Sequence, residues 1–338
     1  MLRLRPPLSR LAPALLTGLL AATPLAARAQ AVRTLPGLTA GTLQANDDGS
    51  TGLDGGVSAV SLGLSSPLNF FGATYSSVYV NNNGNVTFAA PLRTFTPFGL
   101  TTSIGTPIIA PFFADVDSRG PSHLGSGSAD GNAGNVAQAF DGSGLVTYGG
   151  TTVDGRAAFG VNWFSDCGAW TGAGAGPDCA AYASTGGLVG TGYFSGHADR
   201  LNVFQLLLID RSDVRAGDFD IEFNYNQVQW ETGDASQGVG GLGGLSARAG
   251  FSNGTGAAGT FFELDGSGNN GAFLDGGPAG TTLVRNSRSS DVLGRYVFAV
   301  RNGRPDIISP EPSTWLLLGA GLLALAAVGA RQRRAVPV

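Results

Sequence analysis

The chain has 338 residues, 43% of them apolar and 13% charged, with 54 glycines and a formal net charge of −4. Its apolar share is enough for a large core, while its acidic balance disfavours nucleic acid and anionic lipid as partners and favours divalent cations. No window in the middle of the chain keeps the i, i+3, i+4, i+7 apolar spacing of a helix, so the composition predicts an all-β protein of short strands and Gly-rich turns.

The first 29 residues read as a signal peptide. Arg3, Arg5 and Arg10 precede the apolar run 11–22, and Ala27-Arg28-Ala29 closes it with small residues at the cleavage positions. The run is too short to span a bilayer, which needs about 20 residues. Cleavage by signal peptidase is expected after Ala29, with Ala31 as the other option. Every basic residue is Arg, and Glu occurs only at positions 222, 231, 263 and 311. Removal of both ends would leave a body with a net charge of about −11.

The body, residues 33–305, is expected to form one domain. Two β-rich runs, 77–81 and 85–88, flank Asn82-Asn83-Gly84, the pattern of a hairpin. A turn at Asn83-Gly84 would set Tyr79 opposite Phe88. The apolar run 108–113 contains Pro111, which marks an edge strand or a bulge. Asp115 and Asp117 follow it. As i and i+2 residues of a strand they share a side and can place two carboxylates on one hard cation, with Asp47 and Asp48 adding oxygens. Turn capping and hydrogen bonding by these aspartates is the favoured reading, and a calcium site is the alternative. The Gly/Ser/Asp-rich run 121–135 reads as a long loop.

Short strands are expected at 145–148 and 157–163. Cys167 and Cys179, the only cysteines, lie twelve positions apart in a loop-like run. In an exported chain they read as one local disulfide, worth very roughly 2–3 kcal/mol, rather than two unrelated thiols. Trp170 between them is the best candidate for an exposed carbohydrate contact, whereas Trp163 and Trp230 read as core. Ser195, His197 and Asp199 are close in sequence but imply no triad geometry. The run 203–209 is apolar on both faces apart from Gln205, as in a central strand. Phe219, Ile221, Phe223 and Tyr225 alternate with polar residues, and the parity then switches to Val228 and Trp230. That switch requires a bulge or tight turn near Asn226-Gln227. Asp220 and Glu222 would lie on an exposed acidic face. Gly238–Gly243 matches G-x-G-x-x-G but follows no strand, so dinucleotide binding is not expected. Residues 295–300 read as the closing strand. No residue set supports catalysis, and the protein is expected not to be an enzyme.

At the C-terminus Pro310-Glu311-Pro312 precedes the apolar run 315–330, which ends in Arg331, Arg333 and Arg334. An apolar segment with an Arg cluster behind it is held in the inner membrane with its basic end in the cytoplasm. The order over 309–335 resembles the PEP-CTERM signal of bacterial exosortase substrates. That resemblance implies transient tethering, removal of the tail near Pro310–Pro312 by an exosortase-type sorting protease, and a final place at the cell surface or in the extracellular matrix.

A second resemblance covers residues 70–300. Phe70-Phe71-Gly72, the hairpin 78–88, Ala110–Asp117, Asn202–Gln205, Phe223-Asn224-Tyr225, Trp230, Ala247-Arg248-Ala249-Gly250-Phe251 and Gly294–Phe298 are similar to the extracellular NIDO domain of nidogen-like proteins. Phe113, where the family more often has Trp, and the Cys167–Cys179 insertion depart from its pattern. The resemblance implies an antiparallel β-sandwich without catalytic residues and a structural or adhesive role in envelope or biofilm matrix, with extracellular polysaccharide as a partner. A calcium-assisted glycan-binding module is the alternative.

Overall fold

The structure, a computed structural model, describes residues 30–43, 47–53, 58–118, 145–166, 186–194 and 197–307. The signal segment, the 121–135 loop, both cysteines, Trp170, Ser195 and the sorting tail lie outside the described residues.

Strands run in chain order as β1 (Gly41–Thr42), β2 (Val60–Ser61), β3 (Leu68–Phe70), β4 (Ala73–Tyr75), β5 (Ser77–Asn81) and β6 (Asn85–Thr87). They continue as β7 (Ile108–Phe113), β8 (Val116–Asp117), β9 (Val146–Val153), β10 (Arg156–Asp166), β11 (Leu188–Tyr193) and β12 (His197–Asp210). The last are β13 (Phe219–Gln227), β14 (Arg248–Ser252), β15 (Phe261–Glu263), β16 (Arg295–Arg301) and β17 (Arg304–Pro305). Among the described residues no helix is long and apolar enough to cross a membrane.

One large sheet is built on β9, β10, β12, β13 and β16, with β11 wedged between the far ends of β10 and β12, and β8 paired to β11. A second sheet runs β15-β14-β7-β6-β5-β2. Every pairing in both is antiparallel. The two sheets face each other as a sandwich. Phe112 of the second packs on Phe204 and Trp230 at ring separations of 5.2 and 5.5 Å, and Phe251 packs on Phe298 at 5.2 Å. Two buried polar tips also cross the gap. Tyr225 donates its hydroxyl to the Pro111 carbonyl at 2.6 Å, and the Trp163 indole donates to the Asn82 carbonyl at 2.8 Å.

Much of the outer face of the large sheet is covered. Residues 30–40 lie across it as a strap. The Ala31 and Val32 amides donate to Asn226 Oδ1, and the Arg33 amide to Gln205 Oε1. Arg33 forks onto Glu222 at 2.7 and 3.0 Å. Leu38 packs with Val153, Ala158, Leu207 and Ile209. The strap passes so close to β9 that a Cβ on Gly149 would meet the Gly37 carbonyl at 2.0 Å. Only glycine fits there.

Several strand expectations need correction. Tyr79 pairs with Thr87, not Phe88, because the turn holds three residues, 82–84, between the Asn81–Asn85 pair. Gly84 takes the left-handed conformation at φ 70° that closes such a turn, and any side chain there would strike the Phe112 carbonyl. Pro111 lies in an interior strand and not at an edge. It falls where β7 carries an extra residue against β14, so the bulge alternative is the one realised. The runs at 145–148 and 157–163 are parts of one long hairpin, β9–β10, turned at Asp154-Gly155, both with positive φ. The parity switch after Tyr225 is a bulge, as expected: Val203 pairs with Gln227 and Phe204 with Tyr225, which leaves Asn226 as the extra residue. Trp163 and Trp230 are both fully buried.

Candidate functional site

Asn82-Asn83-Gly84 is a hub as well as a turn. The Asn82 amide donates to the Gly49 carbonyl, and its side-chain nitrogen donates to Ser118 Oγ at 2.7 Å. Asn83 donates to Asp48 Oδ1 at 2.9 Å and accepts from the Val116 amide at 2.8 Å. Asn81, one residue earlier, takes the Ser50 hydroxyl. The loop 47–50 and the segment 115–118 are thereby drawn to the same end of the sandwich, on either side of the hairpin turn. The turn thus ties Asp48 to the segment that carries Asp115 and Asp117, and the charges of Asp48 and Asp117 both act on Asp115.

Three of the four are inside the protein: Asp47 is 3% exposed, Asp115 1% and Asp117 0%. Asp115 precedes β8 instead of lying in it, so the expected i, i+2 strand geometry is only half realised. Asp115 Oδ2 accepts no hydrogen bond. Its carboxylate lies against Gly233, where a Cβ would come within 2.4 Å of Oδ2. Burial, followed by the charges of Asp48, Asp117 and Asp234, pushes the Asp115 carboxyl up to about 8.

Asp234 had no sequence signal. It reaches this end of the molecule through Phe194, which bonds the Asp115 carbonyl with its amide and accepts the Asp234 amide with its own carbonyl. Asp234 also holds His197 Nε2 at 2.9 Å, while the other ring nitrogen lies 3.9 Å from Asp199. The imidazole stacks on Tyr193 at 4.4 Å, and the Tyr193 hydroxyl donates to Asp199. Burial and then Asp199 push that phenol up to about 12. His197 is therefore held between two carboxylates, an arrangement suited to fixing a loop.

The expected exposed acidic face on β13 is a correction. Glu222 is 2% exposed, bound by Arg33 and lying 3.4 Å from Arg295. Asp220 pairs with Arg211 and Arg301 at 2.9 and 2.6 Å. Both are covered because the strap and the neighbouring arginines close over that side, which alternation along one strand cannot reveal. Gly238–Gly243 forms a tight turn closed by the Val239 amide on the Leu242 carbonyl, and it follows the 3-10 turn Asp234–Ser236. Trp170 and the Cys167–Cys179 pair lie outside the described residues.

Among the described residues no three His, Cys, Asp or Glu side chains form a ready-made metal-ligand set. What the turn gathers is a mixture of carboxylate, amide and hydroxyl groups.

Comparison with known proteins agrees with this architecture. The Nidogen-like domain model matches residues 76–169 and 182–302, well over half of the chain, and the break between the two stretches overlaps the Cys167–Cys179 run. The PEP-CTERM protein-sorting motif matches residues 310–334. Alpha-tectorin from Mus musculus and from Homo sapiens is 31% identical over 227 residues, covering 63% of this chain and 8% of either relative. Alpha-tectorin from Gallus gallus is 30% identical over 235 residues, covering 66% of this chain and 9% of its own length. The chain thus spans less than a tenth of these curated relatives. No solved structure gives a significant match. A nidogen-like domain and an exosortase sorting motif in one chain mark an exported protein of the cell surface or exterior. The chain belongs to the nidogen-like domain family.

Proposed function

We propose that the protein is a non-enzymatic structural or adhesive component of the cell envelope or biofilm matrix, which presents a rigid β-sandwich to extracellular polymer or to neighbouring cells. The observation that carries this reading is the joining of a nidogen-like domain to a sorting tail. The tail would hold the chain in the inner membrane until an exosortase-type protease releases the folded body.

The strap supports cleavage after Ala29. Ala31 and Val32 both donate their amides to Asn226, so a cut at Ala29 leaves the strap whole, and a cut after Ala31 removes one of its anchors.

Deleting the gene's product from its host tests the role. Loss of matrix cohesion or surface attachment is expected, with recovery on re-expression of the full chain and no recovery when residues 310–334 are missing. Unchanged attachment in the deletion strain would contradict an adhesive role.

A further inference from the structure

The acidic end of the sandwich has a feature that hydrogen bonding within the fold does not explain. Asp115 is 1% exposed, its Oδ2 accepts nothing, and Gly233 leaves the space that the carboxylate occupies. A buried carboxylate without a hydrogen bond is costly unless a cation or a proton accompanies it. Asp48, Asp117 and Asp234 all act on it with charge of the same sign. Around it the turn collects the carboxylates of Asp48 and Asp117, the Ser118 hydroxyl and the side-chain amides of Asn82 and Asn83, whose nitrogens bond Ser118 and Asp48.

We propose that Asp115, together with Asp117, Asp48 and the Asn82-Asn83 turn, forms a binding site for a hard divalent cation of the calcium type. Calcium accepts six to eight oxygens and mixes carboxylates with amide, carbonyl and water ligands. A partial set of carboxylates supplemented by neutral oxygens suits it, whereas magnesium demands a stricter octahedron and softer metals want nitrogen or sulfur. Asp48 is only half-buried and marks the side from which an ion enters. The bound ion would tie three stretches that are distant in sequence, 47–50, 82–84 and 115–118, at one end of the sandwich. Calcium sites of extracellular modules bind at roughly 0.1–1 mM, and an affinity in that range is expected here. The inference is independent of the adhesive reading, because it concerns the isolated protein.

The test is calcium titration of the purified full chain by calorimetry, with thermal melting in chelator and in excess calcium, and magnesium as the comparison ion. Saturable calcium binding and a raised melting temperature are expected, with a weaker response to magnesium. Asp115→Asn should weaken calcium binding at least tenfold, yet melt in chelator no lower than the parent protein, because it removes a buried carboxyl whose Oδ2 makes no hydrogen bond. Asp213→Asn, at an Arg-paired surface aspartate, should leave the calcium response intact. Should Asp115→Asn not fold, the parent titration decides alone. No binding heat with an unchanged melting temperature would overturn the proposal, as would a parent-like calcium response in folded Asp115→Asn.

Discussion

Glu231 is fully buried, and its two carboxylate oxygens accept the amides of Gly271 and Phe273, so it fastens the loop that follows β15 to the segment after Trp230. Burial pushes its carboxyl up to about 7, against those backbone amides, which favour the charged form. A glutamate in an unfolded chain titrates near about 4.3. The folded state therefore holds the proton more tightly. This contribution to stability is complete below about pH 4.3 and is lost as the pH rises through about 7, amounting to roughly 3–4 kcal/mol. Urea unfolding midpoints between about pH 5 and 8 should fall with pH in the parent protein, and the slope should flatten in Glu231→Gln. An equal slope in both would show that this carboxyl does not cause it. Nothing in the sequence marks Glu231 for this role. Its partners lie 40 and 42 positions downstream, in a Gly-rich loop without periodicity.

At the scale of elements, what could be read from the sequence was local and what could not was distant. The bulge at Asn226 follows from parity, since Tyr225 and Trp230 cannot both face the core without an extra residue between them. The hairpin around Asn82-Asn83-Gly84 was equally legible, although its register was not, because a three-residue and a two-residue turn share the same Asn-Gly signal. Asp154-Gly155 is a signal of the same kind, and it joins the runs 145–148 and 157–163 into the single β9–β10 hairpin. The strap is different in kind. Residues 30–40 alternate in no useful period, and their partners are roughly 120 to 200 positions away. Hence Glu222 looked exposed when it is sealed by Arg33. Arg33→Ala should lower stability by about 1–3 kcal/mol in chemical denaturation, because it leaves a buried carboxylate with Asn224 and the more distant Arg295 in place of a two-pronged arginine contact. Glu222→Gln added to that variant should recover part of the loss, and no recovery would mean that the strap's packing matters more than its charge.

For the molecule as a whole, the sandwich and its ends obey separate logics. The core is a set of aromatic contacts between two sheets, insensitive to where the protein resides. The acidic junction was half legible: Asp115 and Asp117 stood out by spacing, while Asp234 was invisible because Phe194 brings it there from another part of the chain. The ends instead specify address. The sorting tail was legible because its triplet, apolar run and Arg cluster are contiguous, and contiguous signals need no fold to be read.

Mass spectrometry of the protein recovered separately from inner-membrane, surface and culture fractions reads that address in one experiment. Surface or culture material beginning at Gln30 and ending near Pro310–Pro312, without Arg331, Arg333 and Arg334, is the expected finding. Full-length tails on protein residing permanently in the inner membrane would contradict an exported, sorted scaffold.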